Sequence, residues 1–296
     1  MRVLATGGAG FIGSTIVRRL VDRGAEVIVL DDLSRGSLAS LPAGIDVVEH
    51  DISTADTPRR VAETRPTHVL HTAAQISVER SMSDAVHDRA VNLDGTRHVL
   101  EGARRCGAKR FVFVSSGGAV YGEAAGATEA HVPAPRSYYG VHKLAAEGYV
   151  AMAGLSYAVA RPSNVYGPGQ RDDLEGGVVA IFARAVATGQ PVTLHGDGEQ
   201  QRDFVHVEDV ADALGRMLDS DRLGVWNVAT GSPTSINQLL ATVESAMRRT
   251  VERRSAPPRT GDVRQSWLSV AAIASDLGWT PRVSLADGVR GLLAAS

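Results

Sequence analysis

The chain has 296 residues, of which 44% are hydrophobic and 22% charged, and its formal net charge is −2. A balance so close to neutral excludes the basic face that nucleic acid or an anionic membrane surface would select, and no apolar run approaches the roughly 18 residues of a spanning helix. The single cysteine, Cys106, cannot form an internal disulfide and reads as an inert filler on a helix; with a first strand opening at Val3 and no room for a leader, the cytoplasm is the expected compartment.

In chain order, the apolar run Val3-Leu4-Ala5 breaks into Thr6-Gly7-Gly8-Ala9-Gly10-Phe11-Ile12-Gly13, and helical periodicity follows to about Arg23. Strand, glycine turn and helix together form the setting in which glycines matter: Gly7, Gly10 and Gly13 leave no Cβ against a pyrophosphate, and the new helix directs free N–H groups and its positive end at the anion. The second strand, Val27 to Leu30, ends in Asp31, about twenty residues past the loop, where a carboxylate accepts both hydroxyls of an adenosine ribose and repels a 2′-phosphate. NAD is therefore expected rather than NADP. Asp32 and Ser34 lie in a polar turn that closes over the adenosine. A third strand, Ile45 to Glu49, leads to Asp51-Ile52, where Asp51 is either a second acid at the adenine or a helix N-cap.

A fourth strand, Thr67 to His71, opens into Ala73-Ala74-Gln75, small residues that suit a backbone passing close to a dinucleotide. From Asp84 to Cys106 apolar residues recur at helical spacing and predict one long helix carrying Asn92, whose amide is expected to bridge to a neighbouring strand. The fifth strand, Arg110 to Val114, ends at Ser115-Ser116-Gly117-Gly118-Ala119-Val120-Tyr121-Gly122. Strands alternating with helices in this way define an α/β chain with a doubly wound parallel sheet, whose ligands sit at the carboxyl ends of the strands.

Tyr139-Gly140-Val141-His142-Lys143 starts the next helix, which places Tyr139 and Lys143 on one face a single turn apart. A free tyrosine has a pKa of about 10, and a nearby ammonium stabilises its phenolate, so the pair is equipped to take a proton from a sugar hydroxyl.

These segments resemble the extended short-chain dehydrogenase/reductase family, nearest to its nucleotide-sugar 4-epimerases of the UDP-glucose (UDP-galactose) 4-epimerase type. The resemblance rests on Thr6 to Gly13, Asp31, His71 to Gln75, Ser115-Ser116 with Val120-Tyr121-Gly122, and Tyr139 to Lys143. It continues through Arg161 to Gln170, Gly196-Asp197-Gly198, Arg202 to Val207 with Asp209-Val210-Ala211, Arg259 to Asp262 and Leu277 to Pro281, and so spans nearly the whole chain.

The resemblance implies a Rossmann domain over 1–165, with a strand near 225–229 returning to it, and a smaller, interleaved substrate domain over 166–296. It implies NAD held by Gly7, Gly10, Phe11, Ile12, Gly13, Asp31, Asp32, Ser34, Asp51, Ile52, Ala73, Ala74, Gln75, Asn92, Ser115, Tyr139, Lys143 and Pro162. Catalysis falls to Tyr139 and Lys143 with Ser116 and Gly117. A nucleotide-diphosphate sugar is gripped by Arg202 and Arg259, with Asn164, Val178, Thr193 and His195 at the base, Asp262 at its ribose and Ser266 beside the sugar. His195 replaces a commonly aromatic position, and no second ligand lies at metal-binding spacing. The family also implies a homodimer through the helices of Asn92 and Tyr139.

The expected reaction is reversible 4-epimerisation: C4 gives up a hydride to NAD, the 4-keto sugar turns over, and the hydride returns to its other face. The competing readings are a sugar 4-ketoreductase that consumes NAD(P)H, and a non-catalytic dinucleotide sensor, which has no use for Tyr139 and Lys143. Dehydratases and decarboxylases of the family carry acids just before Val-Tyr-Gly, where this chain has Gly118 and Ala119. Gly117 departs from the family's serine or threonine, which leaves Ser116 or a water to fill the gap.

Overall fold

The first apolar run becomes β1 (Arg2–Thr6), whose Val3, Leu4 and Ala5 are fully buried, as a continuous apolar strand must be when helices cover both faces of its sheet. After α1 (Phe11–Asp22), the chain adds β2 (Glu26–Asp31) and β3 (Asp46–Glu49) on one side, passes through α2 (Thr57–Glu63), and crosses to the other side of β1 with β4 (His68–His71). In register, Val3 faces Val27 on one flank and His68 on the other. The strand order therefore reverses at β1 and β4, which opens a crevice at their carboxyl ends. The computed structural model describes residues 1–171, 177–258 and 263–294.

Beyond β4 the structure departs from the single long helix expected over Asp84 to Cys106. A short helix, α3 (Val78–Ser83), comes first; then α4 (Ala85–Arg89) gives way to a π-helical turn over Ala90–Gly95 before α5 (Thr96–Arg105) resumes. Periodicity does not reveal this break, because the positions buried through the widened turn are Asp88, Asn92, Gly95 and Thr96 and carry no apolar signal. Tertiary contacts account for it: Asn92 Nδ2 donates to Gln75 O at 2.8 Å and to Asp88 Oδ2 at 3.0 Å, and Gly95 lies against the Ile52 side chain.

The sheet continues through β5 (Arg110–Val114). Next come α6 (Gly117–Val120), β6 (Ala124–Ala127), α7 (Tyr138–Met152) and β7 (Tyr157–Pro162). After β8 (Asn164–Tyr166) follow α8 (Val178–Thr188), β9 (Val192–His195), β10 (Gln201–Arg202), β11 (Phe204–His206) and α9 (Val207–Asp219). β12 (Gly224–Val228) then pairs with β7 and completes a parallel sheet of order β12-β7-β5-β4-β1-β2-β3. The remaining elements are β13 (Thr234–Ser235), α10 (Ile236–Met247), β14 (Arg253–Ala256), β15 (Gln265–Leu268), α11 (Ala271–Leu277) and α12 (Leu285–Ala294).

A second sheet, β13-β10-β15-β6, stands over the crevice, with the pairs β8–β11 and β9–β14 beside it. The helices α8, α10 and α12 enclose a separate core of Phe182, Val186, Leu239, Leu240, Val243 and Val289. The two bodies exchange elements: β6 leaves the first half to edge the small sheet, and β12 leaves the second half to edge the large one. The signature Arg202 to Asp209 explains itself structurally here. Asp203 accepts from Thr230 N and Gly231 N, while Asp209 Oδ2 accepts from Arg282 N and Val283 N and its carbonyl from Trp279 Nε1. These two carboxylates tie the late segments to the main body.

Candidate active site

The glycine turn is in backbone contact with the loop after β4. Gly7 has φ +67°, and a Cβ there would stand 2.5 Å from Ala73 N, so only glycine fits. Gly10 is the N-cap of α1 and provides no side-chain cap, which leaves the N–H groups of Phe11, Ile12 and Gly13 without helical acceptors at the mouth of the crevice. Asp31 accepts from Ala9 N and Leu33 N, both at 2.9 Å, and burial raises its pKa against those two bonds. Asp32 is turned to Ser34, accepting from its N–H and hydroxyl, and Ser37 N donates to Ala9 O, so the polar turn folds against the glycine loop. Asp51 is exposed and accepts from Ser53 N; the N-cap of α2 is Asp56 instead. The Ile52 side chain is buried against Gly95.

At the carboxyl end of β5, Tyr139 and Lys143 project from the first turns of α7, whose Ser137 caps it by accepting from Gly140 N. Both are buried, and burial pushes the tyrosine phenol up to about 12 and pulls the lysine ammonium down to about 7. Two effects oppose these shifts. The nearby Ser116 hydroxyl lowers the pKa of the phenol, and the carboxylates of Glu147 and Asp88 hold the ammonium up. The Lys143 Nζ sits 4.4 Å above the Phe113 ring. Ser116 is thus the hydroxyl beside Tyr139. Gly117 is tightly packed: a Cβ there would push the end of the Leu268 side chain aside and stand 3.0 Å from Arg161 O. Pro162 O lies behind the same glycine.

Several residues not singled out in the sequence support this pair. Glu147, one turn past Lys143, forms a buried ion pair with Arg161 and accepts from the Ser115 hydroxyl at 2.5 Å, so the Ser115 side chain expected at the cofactor is engaged here. Arg161 also donates to the Tyr121 hydroxyl at 2.7 Å, which in turn donates to Asn227 Oδ1. His71 lies between Thr6 and Thr96 and is held neutral, at about 3, by complete burial; since Thr96 donates to Asn92 O, His71 carries its proton on Nε2. Asp88 accepts from Gln75 Nε2, Asn92 Nδ2 and His142 Nδ1, so the Gln75 side chain also points inward. The only sequence signal for Glu147 and Asp88 was an acid four residues from Lys143 and from Asn92.

From the small body, Asn164 Oδ1 comes within 3.9 Å of where a Cβ on Gly118 would stand, beside the Ser116–Gly117 segment. Arg202 and Ser266 are paired across β10 and β15, and Ser266 is buried. Thr193 and His195 share a face of β9, with His195 Nδ1 on Pro257 O, and Val178 opens α8. Arg259 and Asp262 lie outside the described residues. Among the described residues, no cluster of three His, Cys, Asp or Glu is placed to hold a metal ion, and no helix is long and apolar enough to cross a membrane.

A dinucleotide fits these residues on one further observation. The amide oxygen of Asn92 is buried and is the one buried side-chain polar atom among the described residues without a hydrogen-bond partner. A glycine turn, open N–H groups, an acid at the end of β2 and a Tyr–Lys pair on one crevice define a dinucleotide-dependent enzyme of the short-chain type. The profile of the NAD dependent epimerase/dehydratase family matches residues 3–229, and the chain belongs to that family. The chain is 42% identical to the UDP-glucose 4-epimerase of Mycolicibacterium smegmatis, over 98% of this chain and 96% of that one. Two solved structures agree: the UDP-glucose 4-epimerase of Thermus thermophilus in complex with NAD (42% identity, 100% and 98% coverage, TM-score 0.95), and that of Thermotoga maritima with UDP-glucose (39%, 100% and 98%, TM-score 0.96).

Proposed function

We propose that this protein is an NAD-dependent nucleotide-sugar 4-epimerase that interconverts UDP-glucose and UDP-galactose. The observation that carries this reading is the buried Tyr139–Ser116–Lys143 group at the crevice of a chain 42% identical, end to end, to such an enzyme. NAD, when bound, supplies the reversible hydride acceptor. Tyr139 Oη takes the proton of the sugar's 4-hydroxyl and later returns it, and the Ser116 hydroxyl holds that oxygen in line. Burial and the Asp88 carboxylate both favour the protonated phenol, so forming the phenolate depends on the Ser116 hydroxyl, which lowers its pKa, and on positive charge brought to it, which a protonated Lys143 and the bound cofactor would supply. Arg202, with Arg259, grips the diphosphate; Asn164, Val178, Thr193 and His195 receive the base and Asp262 its ribose.

In this reading residues 1–165 form the NAD-binding domain, with β12 returned to it, and 166–296 the sugar-nucleotide domain. The exposed Val86, Val141, Tyr149 and Met152 on α4 and α7 support a homodimer through these helices, which analytical ultracentrifugation checks. The lone Cys106 fits the cytoplasm.

Incubating the purified protein with UDP-galactose should yield UDP-glucose without added cofactor and without steady change in NADH absorbance. Steady NADH consumption with a keto-sugar would mark a 4-ketoreductase instead, and no turnover with NAD bound would mark a sensor. Tyr139→Phe should lower kcat by at least 100-fold with UDP affinity unchanged; near-normal turnover would remove Tyr139 from the reaction.

A further inference from the structure

The Asp88 carboxylate is fully buried near the end of α4, where its charge is felt by both Tyr139 and Lys143. It receives three donors from three separate elements. Gln75 Nε2 reaches Asp88 Oδ2 at 2.7 Å from the loop after β4, Asn92 Nδ2 reaches the same oxygen at 3.0 Å from the π-helical turn, and His142 Nδ1 reaches Oδ1 at 2.6 Å from the catalytic helix. Against a carboxylate the His142 nitrogen is the donor.

The consequence lies in the Asn92 amide. A carboxamide has one donating and one accepting end, and a half-turn about its last bond exchanges them. Here the –NH₂ end faces two acceptors, Gln75 O at 2.8 Å and Asp88 Oδ2, so a flipped amide would bring its oxygen against both. The correct orientation leaves Asn92 Oδ1 as the buried, unpartnered acceptor. A buried acceptor without a partner is unfavourable in the protein alone and becomes satisfied only by a donor brought in from outside.

We propose that Asp88 is a positioning residue that fixes the Asn92 amide, so that its oxygen is presented to a donor group of the bound dinucleotide. This rests on the NAD reading above. His142 completes the device by holding Asp88 from the residue next to Lys143, so the cofactor-facing amide and the catalytic helix share one anchor. With Asp88 removed, Gln75 O is the only group left to choose between the two amide orientations.

The test follows release of NAD from the purified holoprotein on dilution, with UDP affinity by calorimetry as the control, in Asp88→Ala, Asn92→Ala, the double variant and Asp88→Asn. Asp88→Ala and Asn92→Ala should each speed NAD release at least tenfold and leave UDP affinity within threefold. The double variant should add less than threefold to Asn92→Ala, because both act on one acceptor. Asp88→Asn should stay within threefold of wild type, since its amide oxygen still accepts from Gln75 and Asn92 while its –NH₂ donates to His142 Nδ1 once the imidazole takes its other tautomer. NAD release at the wild-type rate in Asp88→Ala, multiplicative effects in the double variant, or a parallel fall in UDP affinity overturns the proposal. Where Asp88→Ala does not fold, Asp88→Ser takes its place with the same outcomes. A wild-type protein that holds no NAD overturns the cofactor reading itself, and this inference with it.

Discussion

At the scale of single residues, the chemistry turns on which hydroxyl stands beside Tyr139. The residue is Ser116, and Gly117 beside it is fixed by Leu268 and by the carbonyl of Arg161. Ser116→Ala should therefore lower kcat by about 10- to 100-fold with little change in KM, because the bond matters most as charge develops on the phenol. Gly117→Ser should not restore a missing function. Its side chain overpacks against Leu268, at about 1–3 kcal/mol, so the variant should melt lower with turnover no higher, and Leu268→Ala should recover the melting temperature. A severalfold rise in turnover for Gly117→Ser would show that the gap beside Tyr139 is real. The sequence made Tyr139 and Lys143 visible because helical spacing is a local property. Which of Ser116 and Gly117 faces the tyrosine depends on how β15 packs behind them, and no local pattern records that.

At the scale of elements, α7 carries the proposed Tyr139–Lys143 pair and with it a buried lysine. In the folded protein burial lowers Lys143 from 10.5 to about 7, with Glu147 and then Asp88 opposing the shift. Between those values the unfolded chain binds a proton that the folded chain does not, so this group makes stability rise with pH from about 7 to about 10.5, and below about 7 its whole penalty is present. Cofactor-free Lys143→Met should accordingly be more stable than wild type at pH 7, by about 2–4 kcal/mol, with the gain fading towards pH 10. Denaturant unfolding at pH 6, 7 and 10 checks it, and a gain that does not change with pH would refute the assignment. Glu147→Ala acts in the opposite direction. It leaves the Arg161 guanidinium buried with only Tyr121 as a side-chain partner, at a cost of about 3–5 kcal/mol in unfolding free energy, and it removes a charge that holds Lys143 protonated. The long helix expected over Asp84 to Cys106 shows the limit of periodicity at this scale: the π-helical turn buries Asn92 and Gly95 rather than an apolar stripe, and Asn92 is tied there to Gln75 O.

At the scale of the molecule, the large sheet was legible because its strands are apolar runs alternating with helices, and β12 was recognisable as such a run. The small sheet was not. Its strand β6 is Ala124-Ala125-Gly126-Ala127, with no β-branched residue, and β10 and β13 are two residues each; they are strands because β15 lies between β10 and β6 and holds them. Ser266 pairs with Arg202 on one side and Ala124 on the other, and shares a face of β15 with Leu268, which packs on Gly117. Its small side chain is buried on that face, in a row whose lateral places are taken. By the family resemblance, the hexose-restricted members carry a bulky tyrosine at this position, against the sugar's 2-substituent. The protein should therefore turn over UDP-N-acetylglucosamine and its galactose epimer as well as the plain hexoses. Ser266→Tyr should depress kcat/KM for the N-acetyl sugars by about 10- to 200-fold relative to the hexoses, the range that shape alone supplies. Measuring both substrate classes in wild type and variant decides the matter: equal slowing of both, or a wild type inert towards N-acetyl sugars, would mean that Ser266 does not set the size of the site.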